Sequence, residues 1–219
     1  MPRLLFEKTG NAIWISHLDL MRLFQRAFRR AGLPLTHTQG FNPRPSVSIA
    51  MPLSVGIASS CELLDFELEG IEVPESEILQ RLNAALIPGV RVLAVYSAGK
   101  KIRELAYLDC ELSLCYDAGI PTGAPDAVRE LFERESLTVD KKSKNGVTRQ
   151  DIIPMIRSLS VCVPDEYHLL LSVRVCCQNP SLNPMLLVSA VHDCLPELVP
   201  DDVSCRRVEI YDQSENVFR

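Results

Sequence analysis

Hydrophobic and polar positions alternate from Arg3 to Lys8, with Leu4 and Phe6 on one face, and the next segment changes from a period of two to the helical period. From about Ser16 to Ala31, Leu20, Leu23, Phe24, Ala27, Phe28 and Ala31 fall on one side of a helix. Ser16 followed by Asp19 is a capping-box variant at its start, and Gly32 with Pro34 marks its end. Val47, Ile49 and Met51 then alternate with Ser46, Ser48 and Ala50. Leu64, Phe66 and Leu68 alternate with Asp65, Glu67 and Glu69, so each of these two strands should carry a polar face. Pro74 and Glu75 open a second helix through Leu79, Leu82, Ala85 and Leu86. Pro88 and Gly89 stop it before a strand from Val90 to Tyr96, which completes the order βαββαβ.

A second round follows. Leu105 to Tyr116 reads as a strand, Asp126 to Glu135 as a helix, and Leu137 to Asp151 as a hairpin turning at Lys144, Asn145 and Gly146. A strand from Tyr167 to Cys177, a helix from Pro184 to Cys194 and a strand from Cys205 to Tyr211 close it, with Ile152 to Val163 ambiguous. The pattern predicts an α+β fold of two tandem ferredoxin-like (βαββαβ) units, residues 1–98 and 103–219, joined near Ser97 to Ile102. One larger α+β sheet drawing strands from both halves is the alternative.

The 219 residues are 47% hydrophobic and 23% charged, which excludes a disordered or collagen-like chain. No apolar run reaches the length of a membrane helix, and Arg3, Glu7 and Lys8 interrupt any early signal-peptide core, so the expectation is a cytoplasmic protein with no membrane partner. In that compartment the eight cysteines should be free thiols without a disulfide framework.

Charge changes the picture more than composition does. The net charge is −5, yet residues 1–50 hold seven cations (Arg3, Lys8, Arg22, Arg26, Arg29, Arg30, Arg44) against Glu7 and Asp19, a balance of +5. The remainder therefore holds 23 − 7 = 16 basic and 28 − 2 = 26 acidic residues, a balance of −10. On the first helix, Asp19, Arg22, Arg26, Arg29 and Arg30 gather opposite the apolar arc and form a continuous exposed face. That face reads either as a site for an anionic partner or as an ordinary solvated helix surface.

The signatures of nucleotide-fold and hydrolase chemistry are missing: there is no glycine-rich phosphate fingerprint, no Gly-x-Ser-x-Gly and no His-Glu-x-x-His. The cysteines lack Cys-x-x-Cys and iron–sulfur spacing, so no cofactor or metal is expected. Cys110 and Cys115 should point to opposite faces of one strand and read as small core residues. Adjacent Cys176 and Cys177 should likewise point apart.

The segment with chemical potential is His37-Thr38-Gln39-Gly40-Phe41-Asn42-Pro43-Arg44-Pro45. Its prolines bias Asn42 and Arg44 to extended backbone, and Gly40 can adopt a positive φ that opens nearby amides to an anion. With Arg22, Arg26, Arg29 and Arg30 it can hold a phosphodiester backbone, while Phe41 either stacks on an unpaired base or plugs the core beneath the turn. His17, on the apolar side of the helix, reads as a hydrogen-bonded structural imidazole before a catalytic one. His37 is the stronger catalytic candidate: it can take a proton from a ribose 2′-OH while Lys8 or Arg44 stabilises the phosphorane. No acid partner for it is evident.

Phe6-Glu7-Lys8, Ser16-His17-Leu18-Asp19-Leu20, Arg26-Ala27-Phe28-Arg29-Arg30-Ala31-Gly32-Leu33-Pro34, Gly40-Phe41-Asn42-Pro43 and Met51-Pro52-Leu53-Ser54-Val55-Gly56 resemble the radical-SAM-linked protein family, a domain of unknown function. Members of that family occur alone or fused behind a radical SAM protein with a cobalamin-binding-like region. The resemblance, which covers about the first 70 residues, therefore implies an accessory role beside a radical SAM protein. It carries over Lys8, His17, Arg26, Arg29 and Arg30 with Gly40, Phe41, Asn42, Pro43 and Pro45, but no assigned catalytic residue. A looser similarity links the tandem order and the glycine-containing loop to CRISPR repeat-processing endoribonucleases. The first expectation is a non-enzymatic partner module that docks on a radical SAM enzyme and recognises its substrate, with tRNA or another RNA as the candidate, through the basic N-terminal surface. A metal-independent endoribonuclease and a purely protein-binding module are the alternatives.

Overall fold

The computed structural model describes residues 2–70, 72–143 and 146–219. Lys144 and Asn145, assigned to the turn of the second-half hairpin, lie outside the described residues. The fold is mixed α+β, with mostly antiparallel strands and four α-helices among the described residues. The chain divides into two compact units, one running up to Ile102 and including Arg219, the other Arg103–Phe218.

The first unit comprises β1 (Pro2–Lys8), α1 (His17–Arg30), β2 (Val47–Ile49), β3 (Ile57–Phe66), α2 (Glu75–Ala85) and β4 (Val90–Ser97). Its strands lie in the order β4-β1-β3-β2, each pair antiparallel. The period-two face of β1 meets the apolar arc of α1. The Phe6 and Phe24 rings pack edge to face at 4.7 Å, and Phe28 lies 5.0 Å from Phe66. Leu20, Phe24, Ala27 and Phe28 are buried, as the helical period requires.

Both ends of α1 follow from single residues. The Ser16 hydroxyl accepts from the Asp19 amide at 3.2 Å, which satisfies one of the donors left open in the first turn. At the far end Gly32 takes φ +66°, a left-handed value that costs a glycine nothing. The Gly32 amide bonds the Arg29 carbonyl at 3.2 Å and the Leu33 amide bonds the Phe28 carbonyl at 3.0 Å, closing the helix as a Schellman turn. Gly89, at φ +86°, has a stricter requirement: a Cβ there would overlap the Thr9 carbonyl oxygen and come within 2.9 Å of the Ala12 Cβ.

The strand expected over residues 64–69 is displaced. β3 begins at Ile57 and ends at Phe66, and Ser59, Cys61, Glu62, Leu63 and Leu64 are all buried. Burial on both faces removes the apolar–polar alternation by which a half-exposed strand is read. The acidic segment beyond it pairs elsewhere: the Thr36 amide bonds the Glu67 carbonyl at 2.9 Å and the Glu69 amide bonds the Pro34 carbonyl at 2.8 Å.

The second unit comprises β5 (Leu105–Cys115), α3 (Ala124–Phe132), β6 (Thr138–Ser143), β7 (Gly146–Asp151), β8 (Ile156–Cys162), β9 (His168–Cys176), α4 (Met185–Cys194) and β10 (Asp202–Asp212). Its main strands run in the order β10-β5-β9-β8, while β6 and β7 form a separate two-stranded sheet. The hairpin is thus an insertion. The second-round strand beside β9 is β8, supplied by the segment that the sequence left ambiguous. Along β5 the burial alternates, with Cys110 buried and Cys115 half-buried on the opposite face.

An arginine cluster closes this unit. Arg174 donates through Nε and Nη2 to the two carboxylate oxygens of Asp109 at 2.7 and 2.9 Å, and through Nη1 to Glu215 at 2.9 Å. Its guanidinium carbon stands 3.9 Å from the centre of the Tyr211 ring, and Arg157 adds a second bond to Glu215 at 2.8 Å. Glu215 itself adopts φ +60°, rare for a non-glycine residue.

Candidate functional site

The Schellman closure of α1 turns the chain into Leu33–Leu35, and residues 36–46 then double back. The Ser46 amide bonds the Thr36 carbonyl at 2.7 Å, the Thr38 amide bonds the Arg44 carbonyl at 2.8 Å, and the Arg44 amide bonds the Thr38 hydroxyl at 3.0 Å. His37 and Pro45 face each other across this short hairpin. Gly40 has φ +141°, a positive value as the turn was expected to need. Gly40, Asn42 and Arg44 are all exposed near the tip.

Phe41 does not plug the core. Its side chain is fully exposed, at 110% of the reference area, near the tip of a hairpin braced by its own hydrogen bonds. A fully exposed phenyl ring is an uncompensated apolar surface.

Between α1 and the base of the hairpin lies a groove of about 510 Å³. Arg26 and Arg29 come from the helix, His37 and Pro45 from the hairpin, and Leu33 and Leu35 form an apolar floor. Glu69 completes the wall, brought there by the pairing of its amide with Pro34. Among the described residues neither Arg26, Arg29, His37 nor Glu69 has a side-chain hydrogen bond or an ion pair. The groove therefore presents unpaired cations and an unpaired carboxylate side by side, over a surface that repels water.

The remaining cations are placed differently. Lys8 is fully buried, and its ammonium donates to the carbonyls of Ile13 (3.0 Å), Ile15 (3.2 Å) and Ser54 (3.3 Å). It ties two loops together and is removed from the anion-binding candidates, since a buried ammonium surrounded by carbonyls has no donor left for a phosphate. Arg3, likewise buried, gives two bonds to Asp65 across the β1–β3 pair at 2.6 and 3.1 Å. Arg22 pairs with Asp19 at 2.9 Å, and the Ser16 hydroxyl first, then this Arg22 contact, holds the Asp19 carboxyl below its usual pKa. Arg30 donates to the Ala85 carbonyl at 2.5 Å, which keeps its charge but fixes its direction. The arginine face expected to be continuous is thus interrupted at Arg22 and anchored at Arg30. A second hollow on the other flank of α1 is lined by Arg22, Arg26, Arg30, Ile15 and Ile87.

His17 does not line the groove, and its Nδ1 is buried without a hydrogen bond among the described residues, contrary to the bonded imidazole that was expected. Sequence reading also missed Glu69. Its approach to the groove depends on a long-range backbone pairing, and only its place one residue beyond Leu68, which bridges Leu35, could have signalled it.

Among the described residues no group of three or more His, Cys, Asp or Glu is placed to hold a metal ion. Burial pushes the Cys177 thiol up to about 12 and raises its neighbour Cys176, so neither is a ready thiolate nucleophile at neutral pH. No described helix is long and apolar enough to cross a membrane.

No curated protein matches the chain. Among solved structures it is similar to a chain of a Cbf5-Nop10-Gar1 complex, with a TM-score of 0.54 and 10% identity over 95% of this chain and 48% of that one. The chain thus spans about half the length of that relative, and the likeness speaks only to fold. An unknown protein from Galdieria sulphuraria aligns over 94% of this chain and 97% of its own at 11% identity, but with a TM-score of 0.26 it says nothing about the fold. Stronger evidence comes from a family model that matches residues 2–184, from β1 through the approach to α4, and so takes in the whole groove. By that match the chain belongs to the family described as "Uncharacterized protein conserved in bacteria (DUF2344)".

Proposed function

We propose that this protein is a recognition module that binds RNA through the groove between α1 and the 36–46 hairpin, as an accessory to a radical SAM enzyme. The observation that carries the RNA reading is the pair Arg26 and Arg29. They are exposed and unpaired at the mouth of the groove, one helical turn apart, in a chain whose other early cations are largely engaged. Phosphate oxygens are the natural partners of such guanidinium groups, and the exposed Phe41 offers a stacking platform for an unpaired base. The radical SAM partner rests on the resemblance of the first 70 residues alone. In the same reading each unit is a ferredoxin-like variant. Support comes from the repeated order, β4-β1-β3-β2 and then β10-β5-β9-β8, with the β6–β7 hairpin inserted in the second.

The test is co-purification with the radical SAM partner and tRNA at low salt, comparing wild type with Arg26→Glu plus Arg29→Glu. The variant should lose RNA while keeping its melting temperature. Retention of RNA by the variant refutes the groove, and partner capture that survives nuclease assigns the arginines to an acidic protein face instead.

A second reading, a metal-independent endoribonuclease, is favoured by one observation: His37 and Glu69 line the same groove, so an imidazole and a carboxylate face one cavity. It predicts products ending in a 2′,3′-cyclic phosphate without added metal, lost in His37→Ala. RNA that binds and stays intact excludes it.

A further inference from the structure

Arg26 and Arg29 line the same groove as Glu69, yet among the described residues none of the three has a side-chain hydrogen bond or an ion pair. In a groove built only for phosphate, a carboxylate repels the ligand. It becomes useful when the ligand carries hydrogen-bond donors as well as negative charge. From this we infer that the groove holds a single unpaired guanine nucleotide, with its phosphate on Arg26 and Arg29 and its base edge on Glu69. The inference rests on the RNA reading above and narrows it to a substrate class.

Size and surface fit that occupant. About 510 Å³ lies in the range of small-ligand sites, and the floor of Leu33, Leu35 and Pro45 offers apolar contact to the flat face of a base. The carboxylate selects among bases. Guanine presents N1–H and the N2 amino group side by side, two donors that match the two oxygens of one carboxylate. Adenine and cytosine set a ring-nitrogen lone pair beside a single amino group, and uracil flanks its one N–H with carbonyls. The rim is stiff where it needs to be, because the Glu69 amide is bonded to Pro34 and the two arginines stand on a capped helix.

The experiment is titration of the intact protein with the 5′-monophosphates of guanosine, inosine, adenosine and uridine, and with inorganic phosphate, by calorimetry or amide NMR. The guanosine nucleotide should bind about tenfold more tightly than those of adenosine and uridine, with inosine, which lacks the N2 amino group, in between. Glu69→Gln should bring guanosine to the adenosine value and leave adenosine unchanged, whereas Arg29→Glu should weaken all four. Glu69 is exposed, so an unchanged melting curve separates lost selectivity from lost folding. Four nucleotides bound within twofold, or phosphate bound as tightly as guanosine monophosphate, overturns the guanine inference while RNA retention keeps the parent reading intact. Loss of both nucleotide and RNA binding by the wild type overturns the two together.

Discussion

In the second unit Arg174 gives two bonds to Asp109, one to Glu215, and stacks on Tyr211, whereas in the first unit Arg26 and Arg29 line a groove with no carboxylate bonded to either among the described residues. The side chains are chemically identical, and only their surroundings differ. Asp109 holds the Arg174 guanidinium above its usual pKa, and every strong direction of donation is taken, so the residue serves the fold. Arg26 and Arg29, by contrast, leave their donors open to solvent among the described residues. The contrast recurs among the seven cations of residues 1–50, where Arg3 and Lys8 are buried and bonded within the fold while the other five are exposed. A net charge by segment therefore overstates a binding surface by the number of cations the fold consumes.

The largest effect is expected at Lys8. Lys8→Met takes the ammonium donor from the carbonyls of Ile13, Ile15 and Ser54, of which Ile13 keeps the Gly56 amide, and should lower the unfolding free energy by about 3 kcal/mol in urea titration. An unchanged midpoint means that water replaces the ammonium and the lysine is not a tether. Arg174→Ala should cost about 3 kcal/mol of stability while leaving RNA affinity within about twofold. A drop in affinity without a drop in stability would reverse the assignment of roles. Phe41→Ala should do the opposite, weakening single-stranded RNA by about tenfold with no shift in melting temperature.

The smallest effect is expected at Glu215. Arg157, then Arg174, hold its carboxyl below the ordinary glutamate range. A depressed folded-state pKa stabilises the native protein above the unfolded value, and that contribution is lost as pH falls through the lowered one. Glu215→Gln should therefore be less stable than wild type at neutral pH, with the gap closing under acid. A gap that is constant with pH would show that the ion pairs are not the cause.

The extent to which these features can be read from sequence follows how local their causes are. Helix α1 is legible to within a residue at each end because Ser16, the period of its apolar side chains and Gly32 act within a few positions of one another. The start of β3 is not legible, since burial of Ser59 and Glu62 depends on partners far along the chain. Strand β8 hides because Ser158 and Ser160 alternate with residues of mixed burial, next to a turn of 3-10 helix at Ile153–Met155. In the candidate site, Arg26, Arg29, His37 and the open conformation of Gly40 follow from the sequence, but the burial of Lys8 and the arrival of Glu69 do not. A lysine on a strand looks alike whether it faces water or three carbonyls, and Glu69 reaches the groove only through its pairing with Pro34.

The central claim is that Arg26 and Arg29 are held unpaired in order to neutralise phosphate. It is tested most directly by fluorescence anisotropy of a labelled single-stranded RNA across a salt series, comparing wild type with Arg26→Glu plus Arg29→Glu. The double variant should lose about a hundredfold in affinity at low salt and show a log–log salt slope shallower by about 1.4, two contacts at roughly 0.7 each. Equal affinities and equal slopes for the two proteins would contradict it.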